Sequence, residues 1–498
     1  MEINTKEAKS SSSSSPKKTQ GHVLLLPYPS QGHINPMHQF AKRLVSKGLK
    51  ATLIVTTFIS KTTKLNPNSP IAVETISDGY DDTGFSGADS IHNYLKNLEV
   101  IGSLSLAELI KKLNNTNPHH PINCLVYDAF LPWALDLVVK SFEGIVTASF
   151  FTQACCVNSI YYHVQRGLLK FPTPHDDDDD DQPCVSVPGV PCLEPQDLPS
   201  FFYVPSEYPA YMELLVNQFS NVDKADWILM NTFKELEVEV VGWMETIFPL
   251  RTIGPTIPSM YLDKRIEDDK EYDINLYDVV DDAMCMNWLD QKPPGSVIYT
   301  SFGSMANLSI EQTEELSYAL KQICNPKNNN NNNNNKYYFL WVVRTQSEQN
   351  KLPKDFQREM SQNGNLFIKW SPQLKVLAHE ALGCFLTHCG WNSTLEALCI
   401  GVPMVGVPQW TDQPMDAKLV EDYWRVGLRA RVDHHDEMRI SRREEIERCV
   451  REVVEGERGR EMKREALKWR SLAKEAVSVG GSTDRNIDEF IDKLVPHG

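Results

Sequence analysis

The 498-residue chain lacks most of the short signatures by which an enzyme of this size would be recognised. No strand-like run is followed by G-x-G-x-x-G, which disfavours a nicotinamide oxidoreductase. A G-x-x-x-x-G-K-[ST] phosphate loop is missing, as is the G-x-S-x-G elbow that would present a nucleophilic serine. Neither H-E-x-x-H nor a paired-cysteine pattern occurs, so no metal is expected. Basic excess is also lacking: 50 Lys and Arg face 66 Asp and Glu, a net charge of −16, with six of the acids in the run Asp176 to Asp181. That balance disfavours nucleic acid or an anionic membrane surface as partner. No run of about eighteen apolar residues exists, and no membrane span is expected. The eleven cysteines are odd in number and scattered, and read as reduced buried thiols of a cytoplasmic protein.

What is present is an ordinary globular composition, 41% apolar and 23% charged, in a chain long enough for two or three domains. Residues 1–20 are Ser- and Lys-rich without an apolar core and are expected to be a disordered tail. A buried strand at His22 to Pro27, a helix from Met37 to Ser46 and a strand at Leu49 to Thr57 make a βαβ unit, the seed of a parallel sheet. Strand and helix patterns then alternate to Met244. Residues 172–206, full of Pro and Asp, read as a long surface loop, and Asn328 to Asn335 as a disordered insertion. The fold class is therefore α/β. Two doubly wound halves, 21–253 and 284–477, are joined by a linker at 254–283, and a C-terminal helix lies within 478–498. Ligands of such sheets bind at the carboxyl ends of their strands.

The most informative stretch is Trp370 to Gln413. Its apolar run Cys384 to Thr387 leads through His388-Cys389-Gly390 into a helix start, where free backbone N–H groups and the dipole favour an anion. The fixed elements W-x-P-Q, L-x-H-E, G-x-F-x-T-H-C-G-W-N-S, E-A, G-V-P, P and D-Q fall in register over 44 residues. This resembles the signature box of plant family-one UDP-dependent glycosyltransferases. P-x-P-x-Q-G-H-x-N-P near the N-terminus, Y-D-x-F-x-P-W at 127–133, F-F-T-Q-A at 150–154 and S-F-G-S at 301–304 agree with it. The run Pro258 to Arg265 is similar to that of the subgroup acting on small acids, terpenoids and steroids.

The resemblance implies a GT-B fold: two facing Rossmann-like domains, the first binding the acceptor and the second the UDP-sugar, with the last helix packing back on the first. It implies UDP-glucose as co-substrate, a lipophilic small-molecule acceptor, no metal, and a monomer. Trp370 would stack on uracil, and Gln373 and Glu396 would take ribose hydroxyls. His388, Asn392, Ser393 and Ser304 would hold the diphosphate. Trp391, Asp412, Gln413 and Thr152 would contact the sugar, Gln413 marking glucose. His33 would be the general base, since an imidazole titrates near neutral pH, and Asp128 would orient it. The acceptor pocket is expected around Tyr80, Phe130, Phe151, Phe201 and Phe202. The expected reaction is inverting transfer to a hydroxyl of a steroid- or terpenoid-like molecule. Two alternatives stay open: glucose-ester formation on a small aromatic or terpenoid acid, and a UDP-sugar-binding protein with a decayed centre.

Overall fold

The structure, a computed structural model, describes residues 21–494 apart from 65, 67–68, 119, 170–183, 204–207, 278–281, 325–336 and 433–438. The N-terminal tail and the Asp and Asn runs fall outside the described residues. Two parallel sheets organise the rest. The first contains β1 (His22–Leu26), β2 (Lys50–Thr56), β3 (Ala72–Ile76), β4 (Ile122–Asp128), β5 (Val146–Phe151), β6 (Trp227–Met230) and β7 (Leu250–Thr252), in the order β3-β2-β1-β4-β5-β6-β7. The second contains β8 (Val297–Ser301), β9 (Tyr338–Val342), β10 (Leu366–Ile368), β11 (Leu382–Thr387), β12 (Met404–Gly406) and β13 (Gly427–Arg429), in the order β10-β9-β8-β11-β12-β13. The central strands β1 and β8 are wholly buried. Their continuous apolar runs, without in-out alternation, suit strands covered by helices on both faces. Strands β3, β7, β12 and β13 gave no clear sequence signal. Three of them span only three residues, and β3 is a partly exposed edge with Glu74 in its middle.

The helix after β1, α1, runs from Gln31 to Ser46 and so begins six residues before the apolar stripe at Met37. Pro36 is its sixth residue. Proline has no N–H to return to the carbonyl four residues back, a loss that costs about 3 kcal/mol in a helix interior. Here the orphaned carbonyl is that of Gly32, and Asn392 of the second domain donates to it through Nδ2 at 2.7 Å. The helix start is therefore completed from across the cleft.

The region 172–206, expected to be a surface loop, is corrected in its described part. Leu193, Leu198, Phe201 and Phe202 are buried in the core. A bridge between Val185 and Leu193 closes a tight turn and brings Cys184 and Cys192 into a disulfide, with Cα atoms 5.8 Å apart. That corrects the reading of every cysteine as a reduced thiol; the other nine are buried.

The two domains touch directly. Trp391 and Trp424 in the second donate their indole N–H groups to the carbonyls of Asn231 (2.8 Å) and Leu236 (3.1 Å) in the first. The segment between them is anchored rather than loose: Asp263 accepts a two-point bond from Arg43 of α1 (2.6 and 2.7 Å), and Asp269 pairs with Lys42 (2.7 Å). The last helix, Ser482–Leu494, crosses back to the first domain. There Phe490 packs beside Phe40 and Trp227, and Asp484 accepts from Lys47 (2.7 Å) and Arg265 (2.8 Å).

Burial opposes ionisation of Asp484, but Lys47, the Gly480 N–H and Arg265 outweigh it and hold the carboxyl at about 2, against 3.8 unperturbed. A depressed carboxylate contributes stability above its unfolded pKa and loses it as pH falls through the folded one. The clasp is thus expected to be intact at pH 5 and to weaken between about pH 4 and 2. Asp484→Asn should lower the melting temperature at pH 7 and make it less acid-sensitive over that interval. Parallel melting curves would refute the assignment.

Candidate active site

In each sheet the strand order reverses beside the first strand, between β1 and β4 and between β8 and β11. The carboxyl ends of those strands form a crevice where loops diverge, the usual ligand position in open α/β sheets. His33 follows β1 and Asp128 ends β4; Gly303 and Ser304 follow β8, and His388 follows β11. The four strand ends face one another across a cavity of about 780 Å³ whose wall includes His33, Ser304, Trp370, His388, Asp412 and Gln413.

On the first-domain side, His33 Nδ1 is 2.7 Å from Asp128 Oδ2. Asp128 is only 1% exposed, and its other oxygen accepts from the Phe130 N–H at 3.0 Å. Both carboxylate oxygens are therefore fixed. The Thr152 hydroxyl is 3.2 Å from the same Nδ1. Tyr28 and Phe130 flank the imidazole, at 5.2 and 4.7 Å between ring centroids. With Nδ1 occupied by a carboxylate, the proton belongs on Nδ1 and Nε2 is the basic nitrogen.

On the second-domain side a chain of polar groups runs along the helix Trp391–Ile400 and its approach. Gln373 donates to Glu396 (2.6 Å) and to Ser393 (3.1 Å), and Tyr299 donates to Gln373 (2.9 Å). Burial pushes the Glu396 carboxyl up to about 7, while the bonds from Gln373 and Tyr272 act against it. Burial, with the Arg344 charge, pulls the His388 imidazole down to about 3, so it is neutral at physiological pH. Its ring explains two glycines. A Cβ on Gly303, which also has φ +69°, would lie 2.6 Å from His388 Nε2, and one on Gly390 would lie 2.5 Å away. Gln413 spends its side-chain oxygen on the N–H groups of Gln409 (2.9 Å) and Trp410 (3.2 Å), which leaves its NH₂ to serve a ligand. Asp412, its carboxyl pushed up by burial, bonds the Thr411 hydroxyl at 2.6 Å.

Residues 290–472 match the family model described as UDP-glucoronosyl and UDP-glucosyl transferase. The flavonol 7-O-beta-glucosyltransferase UGT74F1 of Arabidopsis thaliana is 48% identical over 96% of this chain and 99% of its own. The chain belongs to this family. It is a UDP-glycosyltransferase that transfers a glucosyl group to small molecules, with the UDP-sugar as co-substrate. Among its relatives is the mogroside I-E synthase of Siraitia grosvenorii, 42% identical over 96% of this chain and 99% of that one. Os79 from O. sativa in complex with UDP superposes with a TM-score of 0.83 at 40% identity, covering 95% of this chain and all of that one. The two facing parallel-sheet domains are thus the GT-B arrangement. Among the described residues no group of three or more His, Cys, Asp or Glu could hold a metal ion, and no helix is long and apolar enough to cross a membrane.

Not every expected residue of the transferase reaches the cavity. Phe130 and Phe201 line it, but three acceptor candidates are corrected. Tyr80 lies away from the wall, its hydroxyl taken by Asn97 (2.9 Å). Phe151 is 1% exposed and packs on Phe219, and Phe202 packs on Tyr161. All three were chosen as aromatics near strand ends, and residue type does not say which side of a turn a ring leaves from. Trp391 edges the cavity with its indole buried and its N–H committed to Asn231. The wall also contains residues that the sequence reading missed: Tyr28, Tyr211, Leu215, Trp410, Tyr272 and Tyr277. Tyr28 and Trp410 lie at variable positions inside recognised motifs, which was a usable signal. The others sit on segments with no motif.

Proposed function

We propose that the transferase moves glucose from UDP-glucose to a hydroxyl of a lipophilic, steroid- or terpenoid-like molecule, with inversion to a β-glucoside. The observation that carries this reading is the 2.7 Å His33–Asp128 pair at the wall that also holds the donor-side polar chain. In this reading His33 Nε2 takes the acceptor's hydroxyl proton, and Asp128 keeps Nδ1 protonated and stabilises the imidazolium as it forms. The freed oxygen attacks the anomeric carbon and UDP departs. Trp370 stacks on uracil, Glu396 and Gln373 hold the ribose, and neutral His388 joins Ser304, Asn392, Ser393 and the helix N-terminus in meeting the leaving diphosphate by hydrogen bonds. Asn392 has one amide hydrogen on Gly32 and a second to give. Gln413, Asp412, Thr152 and the Trp391 backbone surround the sugar.

An apolar acceptor is supported by the wall beside His33, made by Tyr28, Phe130, Phe201, Tyr211, Leu215 and Trp410. An oxygen acceptor is supported by the relative named for a flavonol hydroxyl. The enzyme is proposed to work as a cytoplasmic monomer. A mass-spectrometric screen with UDP-glucose, setting polycyclic alcohols against aromatic and terpenoid carboxylic acids, tests the acceptor class. Turnover of acids alone would replace the hydroxyl reading by ester formation.

The ribose assignment makes a separate prediction. Hydroxyls donating to Glu396 favour its ionised form, whereas the free enzyme holds it near 7. UDP-glucose, whose phosphodiester groups do not titrate in this range, should therefore bind about tenfold more weakly at pH 6 than at pH 7.5 and release a proton on binding. Calorimetry in buffers of different ionisation heat reads that proton. Glu396→Gln should abolish it, and its absence from the wild-type enzyme would remove Glu396 from the ribose site.

A further inference from the structure

The stretch Glu271–Tyr277 lies between the domains and touches both. Gln31, the first residue of α1 and only 8% exposed, brackets it: its side chain donates to the Ile274 carbonyl at 2.8 Å and accepts from the Leu276 N–H at 2.7 Å. Ile274 is 3% exposed in the first-domain core. From this fixed middle the two flanking tyrosines reach the other way. Tyr272 donates its hydroxyl to Glu396 Oε1 at 2.8 Å. Tyr277 lays its ring on Trp370, with centroids 4.5 Å apart and planes inclined by 20°, and its hydroxyl donates to the Ser304 carbonyl at 3.3 Å.

These contacts reproduce a nucleoside's chemistry: a flat ring on an indole face and, some residues away, a hydroxyl on a buried carboxylate. We propose that the strap Glu271–Tyr277 occupies the uridine subsite as an internal surrogate, and that the donor binds by displacing the Tyr277 ring from Trp370 and the Tyr272 hydroxyl from Glu396. The inference rests on the donor-site reading given above. Intercalation cannot replace displacement. A base between the two rings would need about 7 Å, two carbon contact distances of about 3.5 Å, and the rings stand 4.5 Å apart. The surrogate has a use in an empty enzyme. It covers the face of the Trp370 indole and gives the buried Glu396 carboxyl a second hydrogen-bond donor beside Gln373, on the oxygen that Gln373 leaves free. Because Gln31 pins the middle of the strap two residues before His33, the displaced tyrosines stay tethered beside the acceptor side. The strap thereby ties nucleotide occupancy to the start of α1.

The test is UDP affinity of the full-length enzyme by titration calorimetry. A stacked aromatic pair contributes roughly 0.5–1.5 kcal/mol, so removing the competing ring should tighten UDP binding by about twofold to tenfold in Tyr277→Ala. Tyr272→Phe, which keeps the ring but frees Glu396, should also bind UDP more tightly than the wild type. Trp370→Ala is the control for the donor site. If it loses UDP binding while Tyr277→Ala binds UDP no better than the wild type, or worse, the surrogate is refuted and the donor site stands. A Trp370→Ala variant with wild-type UDP affinity removes the donor-site reading, and the surrogate with it.

Discussion

His33→Ala is expected to lower kcat for glucosylation of an alcohol by about 10²- to 10⁴-fold, the range for losing a positioned general base. UDP-glucose affinity should stay within about twofold of wild type. The asymmetry follows from what His33 touches. Its hydrogen-bond and ring partners Asp128, Thr152, Tyr28 and Phe130 are all in the first domain, and from the second it feels the Asp412 charge without a hydrogen bond, whereas the polar chain from Tyr299 through Gln373 to Glu396 belongs to the second. The substitution leaves Asp128 buried with one oxygen still held by the Phe130 N–H. That carboxylate lies behind the imidazole and cannot take over at the position of Nε2. Initial rates with a saturating alcohol acceptor, alongside calorimetry with UDP-glucose, separate the two effects. A kcat within tenfold of wild type would show that the alcohol loses its proton some other way. A carboxylic acid is already ionised at neutral pH and needs no base, so activity on an acid should survive the substitution.

The fold and the His33–Asp128 meeting were legible because both depend on short-range patterns. Buried apolar runs marked the central strands, and Q-G-H-x-N-P and Y-D-x-F-x-P-W picked out the two residues, one in the first turn of the helix after β1 and one at the end of β4, where the topology of the sheet makes them neighbours. The start of α1 was misplaced because Pro36 reads as a helix stop, and the Asn392 amide that repairs its missing bond lies more than 350 residues away. The strap was unreadable for a related reason. Tyr272 and Tyr277 carry no motif, and their partners Glu396, Trp370 and Ser304 are set by how the domains face each other. The acceptor wall failed in another way. Tyr80, Phe151 and Phe202 had the right chemistry, but whether a ring faces the cavity or the core depends on backbone direction at each turn, and helix packing brought Tyr211 and Leu215 there instead. Residues carried by a motif were visible; residues without one, placed only by how distant segments pack, were not.

Asp128→Asn is expected to cost nearly as much as removal of the imidazole, within the same range of about 10²- to 10⁴-fold in kcat on an alcohol. The reason is the geometry of the carboxylate's second oxygen. The Phe130 N–H, 3.0 Å from Oδ1, requires an acceptor there, so the asparagine must turn its oxygen to Phe130 and its NH₂ to His33. Nδ1 then becomes the acceptor, the ring proton moves to Nε2, and the nitrogen facing the cavity can no longer receive a proton. The Thr152 hydroxyl, 3.2 Å from Nδ1, is a competing acceptor for an Nδ1 proton, but it carries no charge to stabilise an imidazolium. Asp128→Ala should be less harmful than Asp128→Asn, because it removes the opposing NH₂ and lets Thr152 or water hold the productive tautomer. The double variant His33→Ala/Asp128→Asn should be no slower than His33→Ala, since both residues act through one nitrogen. Multiplicative losses in the double variant would show that Asp128 acts on the substrate or on the fold, and not through His33.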